Sequence, residues 1–208
     1  MNNFPKIILF DIDGVLLNLP YYFSHVLLER GYKEAHNVCE RFYTSDEHEQ
    51  TLLGKLDIKK AIEPHLREFN WEGTCDDYFN DLFEFESNFF DQEMLSLVKR
   101  IKDSGVECFL CTDKNKPRFD FIINHPSIKN IFEEGFISCD IGFLKAQEGF
   151  WKYVLDDLKN RYPDIKPEEV AFFDDKQANI DTSLKFGFNS FLFTNIEKFK
   201  KDLNLEAF

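Results

Sequence analysis

The sequence predicts a doubly wound α/β protein, a parallel sheet between helices, with a small helical unit inserted after the first strand. Three observations carry this. Short, nearly continuous apolar runs recur along the chain, helical patterns alternate with them, and roughly seventy residues between the first two runs contain no convincing strand. The first strand is 6–10 (KIILF), followed by 106–111 (VECFLC), a weaker 135–139 (GFISC), 170–174 (VAFFD) and 189–193 (NSFLF). Apolar runs bounded by polar turns suit strands buried on both faces. Helices are predicted over 91–104, 117–124, 147–161 and 176–187, and Asp91 and Ser104-Gly105 stand where a helix starts and stops. Such alternation implies a parallel sheet with right-handed crossovers.

The first crossover is the exception. About a dozen residues suffice for one, yet residues 18–90 hold helical stretches near 20–31, 35–43, 46–54, 57–69 and 75–88, with Pro20, Gly31, Gly54, Pro64 and Gly73 as breaks. The reading is a core of 1–17 and 91–208 with a helical lid of 18–90. Ligands of open α/β sheets bind beyond the carboxyl ends of the strands, where such a lid would sit. The terminal NIEKFKKDLNLEAF reads as an amphipathic helix packed on the core.

The net charge of −13 argues against nucleic acid, whose phosphates need a positive face. No apolar run approaches the ~20 residues of a bilayer span, and no charged segment followed by an apolar one marks a secretory signal, so a cytoplasmic protein without membrane contact is expected. The five cysteines are scattered. Cys108 and Cys111 have metal-like spacing, but positions three apart on a strand face opposite ways, so reduced, buried thiols are expected. No histidine pair has zinc-site spacing. The 25 phenylalanines should mostly fill the core, and Phe-rich helices leave monomer and homodimer equally open.

Reactive groups gather at strand ends. Asp11 and Asp13 follow the first strand, Thr112-Asp113 the second, and Asp174-Asp175 the VAFFD strand, with Lys145 just ahead of a helix. Parallel neighbours would bring them to one sheet edge. Clustered Asp oxygens suit Mg²⁺, a hard cation that takes one or two carboxylates with waters and a substrate phosphate. An Asp can serve as nucleophile toward phosphorus, and a second Asp can move the proton. A hydroxyl such as Thr112 and an ammonium such as Lys145 would hold the non-bridging oxygens. The loop DIDGVL is no EF-hand, because Val15 and Leu16 stand where a further ligand and a glycine are required.

In order and spacing, Asp11-Ile12-Asp13-Gly14-Val15-Leu16, Thr112, Lys145 and Asp174-Asp175, with Asn179 four residues on, resemble the four motifs of the haloacid dehalogenase-like hydrolase superfamily. The likeness covers essentially the whole chain and is greatest to the helical-cap subgroup of sugar-phosphate phosphatases and the phosphatase domain of epoxide hydrolases. It implies a Rossmann-type core and Mg²⁺-dependent hydrolysis of a small phosphorylated metabolite, such as a sugar phosphate, through an aspartyl-phosphate. By resemblance Asp11 is the nucleophile, Asp13 the acid/base, Thr112 a phosphate ligand, and Lys145 the charge that offsets nucleophile and phosphate. Asp175 would bind metal with Asp11 and the backbone carbonyl of Asp13, with Asp174 a ligand or a partner behind one.

Two departures carry expectations. Asp113 replaces the usual Asn beside Thr112, so it either adds negative charge at the substrate site or points away, with Lys114 and Lys116 as solvated counter-charges. Ala146 replaces the usual Pro after Lys145 and predicts a looser loop. Asn18, with Tyr21 and Tyr22, follows the first motif and is placed at the substrate. The alternatives are a phosphomutase, a haloacid dehalogenase, against which Asp13 and the Asp pair count, and a low-activity binding or regulatory relative.

Overall fold

The computed structural model describes residues 4–205. Five strands form one fully parallel sheet: β1 (Ile7–Phe10), β2 (Glu107–Thr112), β3 (Gly135–Ile137), β4 (Val170–Asp174) and β5 (Asn189–Leu192), in the order β3-β2-β1-β4-β5. The chain winds outward from β1 to β3, then crosses to β4, so β1 lies at the point where the winding reverses. Crevices at such points open at the strands' carboxyl ends. Register decides what meets there: Phe10 pairs with Leu110 on one side and Phe173 on the other, which sets Asp11 level with Asp174.

Between β1 and β2 lie α1 (Phe23–Glu29), α2 (Ala35–Tyr43), α3 (Asp46–Leu52), α4 (Ile58–Glu68) and α5 (Cys75–Ser87), then α6 (Gln92–Asp103). The remaining helices are α7 (Lys116–Asn124), α8 (Ser138–Ile141), α9 (Glu148–Arg161), α10 (Gln177–Leu184) and α11 (Ile196–Asp202). Local chemistry sets their starts. Asp57 and Asp91 accept backbone N–H groups at the starts of α4 and α6, and Thr74 and Asp77 cap α5 reciprocally.

The sheet's two faces bury different sets. Ile8, Phe10, Cys108, Leu110 and Phe173 pack with α6, α7 and α11, while Ile7, Leu9, Cys111 and Phe172 pack with α9 and α10. Cys108 and Cys111 therefore face opposite ways, as strand alternation requires. Helices α1, α2, α4 and α5 enclose a third apolar cluster of their own, built around Phe42, Ile62, Leu66 and Tyr78. The chain enters and leaves this helical unit side by side: Asn18 N donates to Phe89 O at 3.1 Å, and Asp91 N to Leu16 O at 2.9 Å.

The unit rests on the core through the turn after α3. Ser138, fully buried, donates its hydroxyl to Leu52 O at 2.7 Å and accepts the Lys114 amide at 3.1 Å. A Cβ at Gly54 would stand 2.1 Å from the Cys139 carbonyl oxygen, so only glycine permits this contact.

Three sequence expectations need correction. Ser138 and Cys139 do not extend β3 but open α8, where the Ser138 hydroxyl holds the turn. Pro64 does not break α4: the helix runs through it, and the proline lies on its exposed face. The C-terminal helix is short, ending at Asp202, and the expected helix over 203–205 is a turn; residues 206–208 of that expectation lie outside the described residues. Among the described residues no helix is long and apolar enough to cross a membrane.

Candidate active site

Strand ends, loops and one helix start converge above β1. Asp11 is buried, and its Oδ1 accepts the Ile12 amide at 2.7 Å and the Lys145 ammonium at 2.7 Å. The same Lys145 Nζ lies 2.6 Å from Asp174 Oδ2. Lys145 is 1% exposed, so this cation is sealed between two carboxylates. Burial alone would push its ammonium pKa down, but Asp11 and Asp174 outweigh that and hold it well above the usual range. Burial pushes Asp11 up to about 6, opposed by Lys145 and assisted by Asp174. Lys152, the other lysine near this helix start, is exposed on α9.

The Lys145 loop is held without a proline. The Trp151 indole donates to Lys145 O at 2.6 Å, and Thr182 Oγ1 to Ala146 O at 3.2 Å. From the other side, Lys145 N donates to Asp113 Oδ1 at 3.0 Å. Asp113 thus has one carboxylate oxygen bound to the Lys145 loop. The expectation of a looser loop is corrected, since side chains supply the restraint a proline ring would.

Asp174 is completely buried, and its oxygens accept the Lys176 amide and the Asn179 side-chain amide, the latter at 2.9 and 3.1 Å. Asp175 is exposed, and burial of its neighbourhood with the adjacent Asp174 charge raises its pKa. Asp11, Asp174 and Asp175 each offer an oxygen, all within 4.8 Å of one another. This hard-oxygen set fits Mg²⁺. The loop between Asp11 and the helical unit is shaped for it: Gly14 has φ +75°, and a Cβ there would lie 2.4 Å from Asp175 Oδ2. Gly14→Ala is expected to cost about 1–3 kcal/mol of stability, through backbone strain and displacement of Asp175. It should also weaken Mg²⁺ binding at least about tenfold, since one of three donors moves. Thermal melts and titration calorimetry would check both, and a wild-type Mg²⁺ affinity would contradict this role for Gly14.

Thr112 ends β2, fully buried, and its hydroxyl has no hydrogen-bond partner. A buried, unpaired hydroxyl is costly and marks a place for a ligand oxygen. Asn18 is farther out, its side chain 3.4 Å from Asp91 Oδ2 at the paired linkers, and Tyr21 packs on Phe85 and Phe89 beside it.

Asp13 has partners the sequence did not suggest. Lys114 Nζ bonds Oδ2, and Arg118 places Nη2 3.1 Å from Oδ1 and Nη1 3.4 Å from Oδ2. Arg118 Nε also reaches Glu86 of α5 at 2.8 Å. Burial would raise the Asp13 pKa, yet Arg118 and Lys114 outweigh it and hold the carboxyl well below the usual range. Lys114 is therefore not a solvated counter-charge to Asp113; the turn after β2 folds it inward, and it is 3% exposed. Lys116 does remain at the surface, paired with Asp120. The only sequence signal for Arg118 was its place in the first turn of a helix that follows a functional strand end.

The haloacid dehalogenase-like hydrolase family matches residues 5–187. A probable pseudouridine-5'-phosphatase of Saccharomyces cerevisiae is 24% identical over 218 residues, covering 88% of this chain and 79% of that protein. A drimenol cyclase of Aspergillus calidoustus is 24% identical over 109 residues, 52% of this chain and 20% of the cyclase, so the chain spans only about a fifth of that relative. Among solved structures, a haloacid dehalogenase family enzyme of Bacteroides thetaiotaomicron superposes with a TM-score of 0.72 at 15% identity, covering 96% of this chain and 98% of that one. The same enzyme in complex with magnesium and inorganic phosphate gives 0.70 at 16% identity, covering 94% and 98%. A predicted hydrolase of Porphyromonas gingivalis gives 0.68 at 20% identity over 99% and 100% of the chains.

Proposed function

We propose that this chain, which belongs to the haloacid dehalogenase-like hydrolase family, is a Mg²⁺-dependent phosphatase of a small phosphorylated metabolite. The observation that carries the reading is the division of labour around β1. One carboxylate, Asp11, is held by Lys145 among possible metal donors, and a second, Asp13, stands two residues on with entirely different partners. Ile12 N and Lys145 hold Asp11 Oδ1, which leaves Oδ2 to attack phosphorus. The new P–O bond forms as the bond to the leaving oxygen breaks, and Asp13, which Lys114 and Arg118 hold ionised, has to take up a proton from solvent before it passes one to that oxygen. Asp13 then takes a proton from water, whose oxygen attacks phosphorus and frees Asp11. Bound at Asp11, Asp174 and Asp175, Mg²⁺ would neutralise charge on carboxylate and phosphoryl oxygens. Thr112 Oγ1 and the Lys145 ammonium bind non-bridging oxygens, where phosphoryl-transfer charge collects.

Residues 18–90 act in this reading as a cap that excludes bulk water and selects the leaving group. The yeast relative's printed activity, that of a probable pseudouridine-5'-phosphatase, supports a phosphorylated nucleoside or sugar as the substrate class. Five free thiols, three of them buried, support action in the reducing cytoplasm.

The test is release of inorganic phosphate from a broad panel of phosphate esters, with Mg²⁺ and after chelation. Release confined to the Mg²⁺ arm is expected, with at least about a hundredfold loss on chelation. Equal release in both arms, or none from any ester, would overturn the reading.

A further inference from the structure

Helices α1 and α2 are joined by a turn in which Gly31 takes φ +98°, so α2 folds back against α1. Leu27 and Val38 seal the inner side of this pair. Where it opens to solvent two imidazoles meet: His25 of α1 is exposed, His36 of α2 is half-buried, and their ring centres are 4.7 Å apart. The phosphatase chemistry uses neither ring. No zinc-motif spacing links them in the sequence, so the fold alone brings them together.

Each ring is held through the same nitrogen. Tyr22 O lies 3.3 Å from His25 Nδ1, and a carbonyl oxygen only accepts, so that nitrogen carries the hydrogen. Ser24 Oγ lies 3.1 Å from His36 Nδ1 and can accept from it in the same way. Ser24 is buried, and this ring is its hydroxyl's partner. With the hydrogen on Nδ1, Nε2 is the bare nitrogen of a neutral imidazole, and among the described residues neither Nε2 has a hydrogen-bond partner. Histidine binds metals in this form, the bond at the other nitrogen fixing both tautomer and ring orientation. Tyr22 and Ser24 belong to the start of the same helix, so both Nδ1 atoms turn toward it and both Nε2 atoms away.

The separation fits one shared ion. A metal–nitrogen bond of about 2.1 Å plus the ring's own radius puts a metal about 3.2 Å from each ring centre. Rings 4.7 Å apart then meet it at an angle of about 95°, close to that of octahedral or square-planar coordination. Imidazole nitrogen suits Ni²⁺, Cu²⁺ and Zn²⁺. Among the described residues no third carboxylate, thiol or imidazole stands within ligand distance of the pair, which leaves the other positions to water.

We infer that His25 and His36 form a two-imidazole site for a divalent transition cation, which clamps α1 to α2 within the helical unit. Ser24 is its positioning residue. The site is separate from the hard-oxygen set of Asp11, Asp174 and Asp175 and independent of the phosphatase reading.

The experiment titrates Ni²⁺ into the whole protein in excess Mg²⁺, which keeps the carboxylate oxygens filled. Calorimetry is expected to show a Ni²⁺ ion bound by the wild type and lost from the double variant His25→Gln, His36→Gln. Each single variant should weaken binding at least about tenfold, and Ser24→Ala should weaken it about tenfold by releasing the His36 ring. His65→Gln should leave it unchanged, because His65 lies elsewhere on the helical unit, paired with Glu47 and Glu68. A clamp also stabilises the fold, so saturating Ni²⁺ should raise the Tm of the wild type more than that of the double variant. A wild type that binds no more Ni²⁺ than the double variant would overturn the site. So would binding that is lost with His65→Gln, or an affinity unchanged in the folded single variants.

Discussion

Asp11→Asn is expected to abolish Mg²⁺-dependent phosphate release, lowering kcat/KM by at least about 10⁴-fold. Asparagine keeps the shape of the side chain and still offers an oxygen to the Ile12 amide and Lys145, which also keeps Asp174. It loses the anionic oxygen that would bond to phosphorus, and neither Asp174 nor Asp13 has an oxygen free to replace it. Asp174 is fully buried and occupied by Lys145, Lys176 and Asn179, while both oxygens of Asp13 are occupied by Lys114 and Arg118. The measurement is inorganic phosphate released from the best ester of the panel, beside a thermal melt to show that the variant folds. A folded variant retaining more than about a tenth of wild-type activity would remove Asp11 as nucleophile.

Lys145→Met carries the largest expected effect on stability, about 3–5 kcal/mol, with activity lost as well. Methionine fills most of the volume but leaves Asp11 and Asp174 facing one another without the cation between them, both buried and both normally within 2.7 Å of it. Removing one partner from a buried ionic cluster costs far more than the cluster contributes net, because the remaining charges stay out of water. Mg²⁺ should recover part of the loss, since the same two carboxylates belong to the metal-donor set. The expected result is a large fall in Tm without Mg²⁺ and a larger Mg²⁺-induced rise in the variant than in the wild type. A variant that melts within about 2 °C of the wild type without metal would show that Lys145 is not the structural counter-ion of the site.

Most of the fold was legible because it rests on local rules. Each strand is a short apolar run whose length and turns allow little else, and α4, α5 and α6 begin at residues whose side chains cap them. What failed was local too, but conditional on surroundings: Pro64 is tolerated where its face of α4 meets solvent, and Ser138 leaves the strand because its hydroxyl finds Leu52. The site divides the same way. Asp11, Asp13, Thr112, Lys145, Asp174 and Asp175 were visible because a parallel sheet delivers its strand ends to one edge. Trp151, Arg118 and Glu86 were not, because nothing in their own neighbourhoods of sequence shows which way they point.

By itself the sequence determined the strand order's raw material, the inserted helical unit and the carboxylates that a parallel sheet must gather, because alternation of elements and hydrophobic periodicity act over a few residues. Only the tertiary structure decided how those carboxylates are kept apart in role. Asp11 and Asp13 are two residues apart in an acidic chain, yet one is bound to Lys145 and the other to Lys114 and Arg118. The physical reason is that a carboxylate's behaviour is set by burial and by the charges within a few ångströms, and those charges come from residues more than a hundred positions away.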